Sequence, residues 1–262
     1  KILLLGICES GKTTLLNVLQ QFVDPGRFEL DSGHFRTLVW KNAIESVRTV
    51  LRAMEILGIE LELQRNAQYA RTVLAEPCRN CYGDPTVNTL HTTGVAQAIS
   101  SLWYDGGFQS AIGRKNEYSF HDNTEYFMTN IHKISRQATN LEVPSVKDIL
   151  RTSFRTTQMY HTDLVYKNSK FCVYDVEGTR DFLGNSFRVV RNVATVMIPI
   201  DTTGYNRKLP EDKKTDRMLE QFLFFEATIN DVLSTRTNFI VLFTKVDILE
   251  NYLKINDART FL

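Results

Sequence analysis

Near the start of the chain, Gly6 to Thr13 reads G-I-C-E-S-G-K-T and fits G-x-x-x-x-G-K-[ST] at every defined position. Glycines permit a tight loop whose successive backbone N–H groups surround an anion, and the start of a following helix adds its positive dipole end. Lys12 then reaches terminal phosphates and the Thr13 hydroxyl can ligate Mg²⁺. The competing reading is an ordinary glycine turn with a surface lysine. The flanks decide between them. KILLL precedes the loop, and Leu15, Leu16, Val18, Leu19 and Phe22 follow at helical spacing, so strand, loop and helix come in the order a phosphate site requires.

Two further segments carry compatible chemistry. Y-D-V-E-G places Asp175 at the end of an apolar run with Gly178 three residues on; the acid can hold a metal-bound water and the glycine N–H can approach a γ-phosphate. Alone, such a pair is often only a strand ending in a turn. L-F-T-K-V-D places Thr244, Lys245 and Asp247 after another apolar run. A carboxylate there can accept both N–H groups of a guanine edge while the Lys245 stem covers the base, and adenine offers no matching donor pair. Otherwise the segment is a solvated loop of mixed charge.

These segments need a scaffold that brings them together. Helical spacing predicts a long helix through Ile44, Val47, Leu51, Met54 and Leu57, with more helices around 95–103 and 124–134. After Val143-Pro144 the period shifts toward two: DLVYKN and KFCVYDV flank Asn168-Ser169 as a hairpin, and ATVMIPID and FIVLF read as buried strands. Met218, Phe222, Phe225, Ile229 and Val232 mark a helix between those last two, and Phe222, Phe224 and Phe225 read as core. The economical picture is an α/β domain in two pieces, 1–27 and 151–262, with an all-helical domain, 28–150, inserted between them. The chain opens directly on a buried-strand pattern and stops without punctuation at NDARTFL, so both termini read as trimmed.

Composition narrows the partners. The 262 residues carry 31 Lys plus Arg against 30 Asp plus Glu, a net charge of +1 that gives no general reason to expect nucleic acid. No window approaches a membrane span, no signal peptide opens the chain, and four scattered cysteines fit a reducing compartment, so a soluble intracellular protein is expected. Cys78 and Cys81 have metal-like spacing without the second pair a structural zinc needs.

The order GxxxxGKT, RTT, DxxG, TKxD is that of the GTPase superfamily, and the helical insertion narrows it further. The sequence resembles the α subunit of heterotrimeric G proteins. KILLLGICESGKTT is similar to that family's first strand and phosphate loop, NAIESVRTVLRAM to its first long inserted helix, SLWYDGGFQ and NEYSFHDNTEYFM to later helical-domain segments, and DILRTSFRTT to its switch I. The resemblance implies a Ras-like P-loop GTPase domain, a mostly parallel sheet flanked by helices, with an inserted all-α domain. It implies GTP or GDP with Mg²⁺ as ligands. By position, Glu9, Ser10, Gly11, Lys12, Thr13 and Thr14 would embrace the phosphates, and Thr13 and Thr156 would ligate Mg²⁺ with Asp175 behind them. Leu150 and Arg151 would lie along the ribose and phosphates, Gly178 would sense the γ-phosphate, and Thr244, Lys245 and Asp247 would read guanine. Asp122 and Asn123 would reach the nucleotide edge, although D-N-T-E also reads as a capping box in which Asp122 caps the helix at Thr124.

The family's hydrolytic residues are absent. Its switch I arginine is Ser153, the glutamine after D-x-x-G is Thr179, and a phosphate-loop glycine is Cys8. Slow or absent GTP hydrolysis is therefore expected. Arg155, two residues past Ser153 on the same side of an extended segment, could stand in for the arginine or be a solvated switch residue. Family partners would be a βγ dimer, a G-protein-coupled receptor and effectors, although the switch II tryptophan is replaced by Ser186. Family membership would also place the protein at the cytoplasmic face of the plasma membrane, peripherally. Two alternatives are a nucleotide-stabilised scaffold that does not switch and a P-loop kinase or ATPase, which would need an adenine pocket.

Overall fold

Among the described residues five strands build one sheet: β1 (Ile2–Leu4), β2 (Tyr160–Tyr166), β3 (Ser169–Asp175), β4 (Thr195–Asp201) and β5 (Asn238–Thr244). Their order is β2-β3-β1-β4-β5, with β2 antiparallel to β3 and every other pairing parallel. The computed structural model describes residues 1–76, 89–118, 120–139, 142–153, 159–176, 192–209, 214–232 and 237–255. Helices run from α1 (Lys12–Val23) through α2 (Pro25–Asp31), α3 (Arg36–Leu57), α4 (Asn66–Ala75), α5 (Thr89–Trp103), α6 (Gly106–Gly113), α7 (Thr124–Thr129), α8 (Ile131–Ala138) and α9 (Val146–Leu150) to α10 (Arg217–Val232) and α11 (Val246–Ile255). The chain divides into two units, 1–25 with 153–262, and 26–152.

In the first unit, consecutive residues of β1 point to opposite faces, so Leu3 joins Val196, Ile198, Ile200 and Phe224 while Leu4 joins Leu16, Leu164 and Val173. Both faces are covered, which is why β1 and β4 read as unbroken apolar runs. Pro199 sits inside β4, where a missing N–H is normally costly. Met197 O accepts from Leu5 N at 3.0 Å; Pro199, two residues on, faces the same side, where β1 has already ended. The hairpin turns at Lys167-Asn168, with φ of 47° and 62°, one residue before the expected Asn168-Ser169. Two left-handed residues match the twist of the strands they join.

The stripe expected on α10 is met only in part: Met218 and Phe225 pack half-buried against the cluster around Leu3, but the fully buried positions are others. Its buried residues are Arg217, Gln221, Phe224 and Thr228, whereas Phe222 is 54% exposed and only Phe224 of the three phenylalanines is fully buried. The fully buried line carries an arginine and a glutamine, so apolar spacing found its flank and missed its centre.

The second unit packs around α3, where Val39, Ala43, Val47, Val50 and Met54 are all buried against α5 to α8 residues such as Ile99, Phe108, Phe127 and Ile134. Gly58, at φ 65°, ends α3, and Ile59 N–H returns to Met54 O at 2.9 Å. The helix expected over 124–134 is two helices. Thr129 and Asn130 side chains bond back to Glu125 and Tyr126 carbonyls, competing with the helical ladder. The N-cap of α7 is Asn123, without a side-chain capping bond, in place of the expected Asp122. A full capping box occurs instead at Ser145 and Asp148, opening α9. Among the described residues no helix is long and apolar enough to cross a membrane. Cys78 and Cys81 lie outside them.

Candidate nucleotide-binding site

Because β3, β1, β4 and β5 are parallel, their carboxyl ends lie along one edge of the sheet. The chain builds outward from β1 in both directions, and open α/β sheets bind ligands outside the strand ends at such a reversal.

At the end of β1 the chain enters the 6–11 loop. Gly6 has φ 152°, and a Cβ there would stand 2.7 Å from Ser10 Oγ and 3.1 Å from Pro199 O, so no other residue fits without displacement. Gly11, at φ 103°, is the N-cap of α1 and leaves its first N–H groups without a side-chain acceptor. Those donors, at the positive end of a three-turn helix, suit an anion. Lys12, 6% exposed, donates to Gly6 O at 2.7 Å and Ile7 O at 2.9 Å. Burial lowers its pKa against the pull of Asp175. Glu9 (φ 60°) is exposed, Ser10 is buried, and Thr14 is half-buried on the first turn of α1.

At the end of β3, Asp175 Oδ2 accepts from Thr13 Oγ1 at 2.7 Å. Burial raises the Asp175 pKa, opposed by that hydrogen bond and by Lys12. Asp175 Oδ1 and Ser10 Oγ are buried with no hydrogen-bond partner among the described residues. Buried polar atoms are rarely left so. The hydroxyl and carboxylate oxygens form a hard donor set that fits Mg²⁺.

At the end of β5, Thr244 Oγ1 lies 2.8 Å from Ser10 O and 3.2 Å from Ile200 O, so this segment is tied directly to the phosphate-type loop. Lys245 follows at φ 59°. Its ammonium donates to Asp201 Oδ2 at 2.9 Å, and Asp247 is exposed in the first turn of α11. Asp201, at the end of β4, and Arg217 and Gln221 of α10 were not singled out from the sequence. The available signal was an acid closing the apolar run TVMIPI.

The sequence profile described as "G-protein alpha subunit" matches residues 1–261. The chain belongs to the G-protein α subunit family. It is similar to "Guanine nucleotide-binding protein alpha-16 subunit" of Caenorhabditis briggsae, 31% identical over 97% of this chain and 69% of that protein. It is also similar to "Guanine nucleotide-binding protein subunit alpha" of Emericella nidulans, 28% identical over 100% of this chain and 71% of the relative. The corresponding protein of Pyricularia oryzae is 29% identical over the same shares.

For a G-protein α subunit, the departures in the chain matter as much as the matches. Cys8 is half-buried, and its carbonyl accepts from Arg217 Nη2 at 2.7 Å. Ser153 is exposed. In the second unit Asn123 and Arg151 are paired, Nδ2 to the Arg151 carbonyl at 2.8 Å and Nη1 to Asn123 Oδ1 at 2.9 Å, while the guanidinium lies 4.7 Å from the Tyr126 ring centre. Leu150 ends α9, half-buried, and Asp122 is half-buried beside Asn123. Arg155, Thr156, Gly178 and Thr179 lie outside the described residues.

Proposed function

We propose that this G-protein α subunit is a guanine-nucleotide-controlled signalling switch that holds GTP or GDP with Mg²⁺ and hydrolyses GTP slowly or not at all. The observation that carries the reading is the Lys12, Thr13 and Asp175 group. A buried lysine rests on the carbonyls of its own loop beside a buried carboxylate with one oxygen unpartnered among the described residues. Phosphate oxygens are the natural acceptors for Lys12 and for the open N–H groups of α1. Thr13 and Asp175, with Thr156, would hold Mg²⁺, which supplies neutralisation of charge on the phosphates. Glu9 to Thr14 would wrap the phosphates, Gly178 would contact the γ-phosphate, and Asp247 would accept from the guanine edge with Lys245 over the base.

The hydrolytic machinery is weakened at the residues that stabilise the transition state. A serine hydroxyl at 153 cannot neutralise charge developing on the γ-phosphoryl oxygens, and Thr179 lacks the amide that orients the attacking water. An arginine at the first position is worth about 10³-fold or more, a figure that belongs to the G-protein class itself and is not specific to this chain. Arg155 would be the one residue able to compensate. Replacing it with Ala and following single-turnover phosphate release decides the matter; an unchanged rate removes Arg155 from the mechanism. A βγ dimer, a receptor and effectors would be the partners, met at the cytoplasmic face of the plasma membrane.

The base assignment is tested by thermal unfolding with guanine and adenine nucleotides. At a concentration about a hundredfold above Kd, bound GDP stabilises by about 2.7 kcal/mol. Stabilisation by ATP and not by GTP would overturn it.

A further inference from the structure

Asp201 belongs to none of the family motifs, yet both halves of the site lean on it. It ends β4 and is 0% exposed. Its N–H donates to Gln221 Oε1 at 2.6 Å and its carbonyl accepts from Gln221 Nε2 at 3.0 Å, so the strand end is clamped by one amide. Oδ1 accepts from Thr203 N at 2.9 Å and Thr203 Oγ1 at 2.7 Å. Oδ2 accepts from Lys245 Nζ at 2.9 Å and lies 3.4 Å from Arg217 Nε. Arg217 in turn donates from Nη2 to Cys8 O at 2.7 Å, with Nη1 3.6 Å from Glu9 Oε2. One carboxylate oxygen thus stands between the lysine of the base-reading segment and the arginine that grips the phosphate loop.

We propose that Asp201 is a positioning residue that couples the base and phosphate halves of the nucleotide site, holding Lys245 directly and the Cys8–Glu9 segment through Arg217. The inference rests on the guanine-nucleotide reading above. Gln221 and Thr203 already satisfy the backbone and one carboxylate oxygen of Asp201, and an asparagine could keep those bonds. What the charge adds is the simultaneous hold on two cations. Both are largely buried, with side chains 22% and 4% exposed, so losing the carboxylate sets two like charges against each other where screening is weak. Lys245 must then leave its place over the base, and Arg217 must loosen its hold on the loop carbonyl. Burial works to raise the Asp201 pKa, but Lys245, Thr203 and Arg217 together lower it, so the carboxylate is charged at neutral pH.

The test is the release rate of a fluorescent GDP analogue from the full chain, from Asp201→Asn, from Lys245→Met and from the double variant. Asp201→Asn is expected to speed release at least about tenfold. In the Lys245→Met background its effect should shrink about threefold or more, because residues in one network do not act independently whereas a general loss of structure does. Unchanged release from Asp201→Asn, or factors that simply multiply, would overturn the inference. Should Asp201→Asn fail to fold, the same cycle with Arg217→Gln and Lys245→Met applies, since two cations held at one carboxylate oxygen must show coupled effects. Multiplying factors there overturn it as well. If the unaltered chain does not bind GDP, the functional reading fails and this inference with it; binding with multiplying factors rejects the inference alone.

Discussion

At Lys12 and Asp175 the site holds a buried cation and a buried carboxylate whose surroundings disfavour their charged forms: burial lowers the lysine pKa and raises the aspartate pKa. Such groups are retained against stability for what they bind. Lys12→Met should therefore leave the melting temperature of the ligand-free protein undiminished while weakening GDP about 100-fold or more, through loss of charge-assisted bonds to phosphate. A titration showing equal affinity would contradict the assignment. Asp175→Asn has its own signature. Because the folded-state pKa is raised, the charged carboxylate costs stability as pH rises through it, so the variant should melt higher than the parent at neutral pH without ligand. With nucleotide it should lose the Mg²⁺ dependence of release. A lower melting temperature without ligand would contradict the burial argument.

The elements that hold these residues were legible in the sequence to different degrees. The strand, loop and helix from Ile2 to Val23 were, because a parallel strand buried on both faces is apolar throughout and the loop demands two glycines. The buried face of α10 was not. It is defined by Arg217 and Gln221 reaching Asp201, and hydrophobic spacing cannot report a polar anchor. Similarly, D-N-T-E suggested a cap at Asp122, while the Asn123 amide is committed to Arg151 and the complete capping box lies at Ser145 and Asp148.

Asp148 also anchors the helical unit. Burial works to raise its pKa, but bonds from Lys133, Ser145, Tyr126 and Gln137 hold it well below the usual carboxylate range. A depressed carboxyl pKa contributes stability that is complete above the unfolded value, about 3.9, and is lost as pH falls through the folded one. Asp148→Asn should cost about 2 kcal/mol at pH 7, the scale of hydrogen bonds to a charged group. The deficit should narrow on acidification below about pH 4. A cost independent of pH, measured by denaturant unfolding across that range, would contradict the assignment.

At the scale of the whole molecule, the chain leaves one unit at 25–26 and returns at 152–153, immediately before Ser153 and within the switch I sequence. The two-part organisation could be read from the change of period along the chain, since helical and strand spacings differ in kind. Switching itself could not, because it depends on how segments respond to a third phosphate. Limited proteolysis of the GDP and GTPγS forms should give different cleavage patterns. Identical digestion would favour a nucleotide-stabilised scaffold. Slow hydrolysis is the central claim of the function proposed above, and single-turnover phosphate release from GTP-loaded protein measures it directly. The unaltered protein should release phosphate slowly, and Ser153→Arg combined with Thr179→Gln should speed release at least about tenfold, part of the roughly 10³-fold an arginine finger supplies in this class. Release from the unaltered protein as fast as from that double variant would contradict the claim.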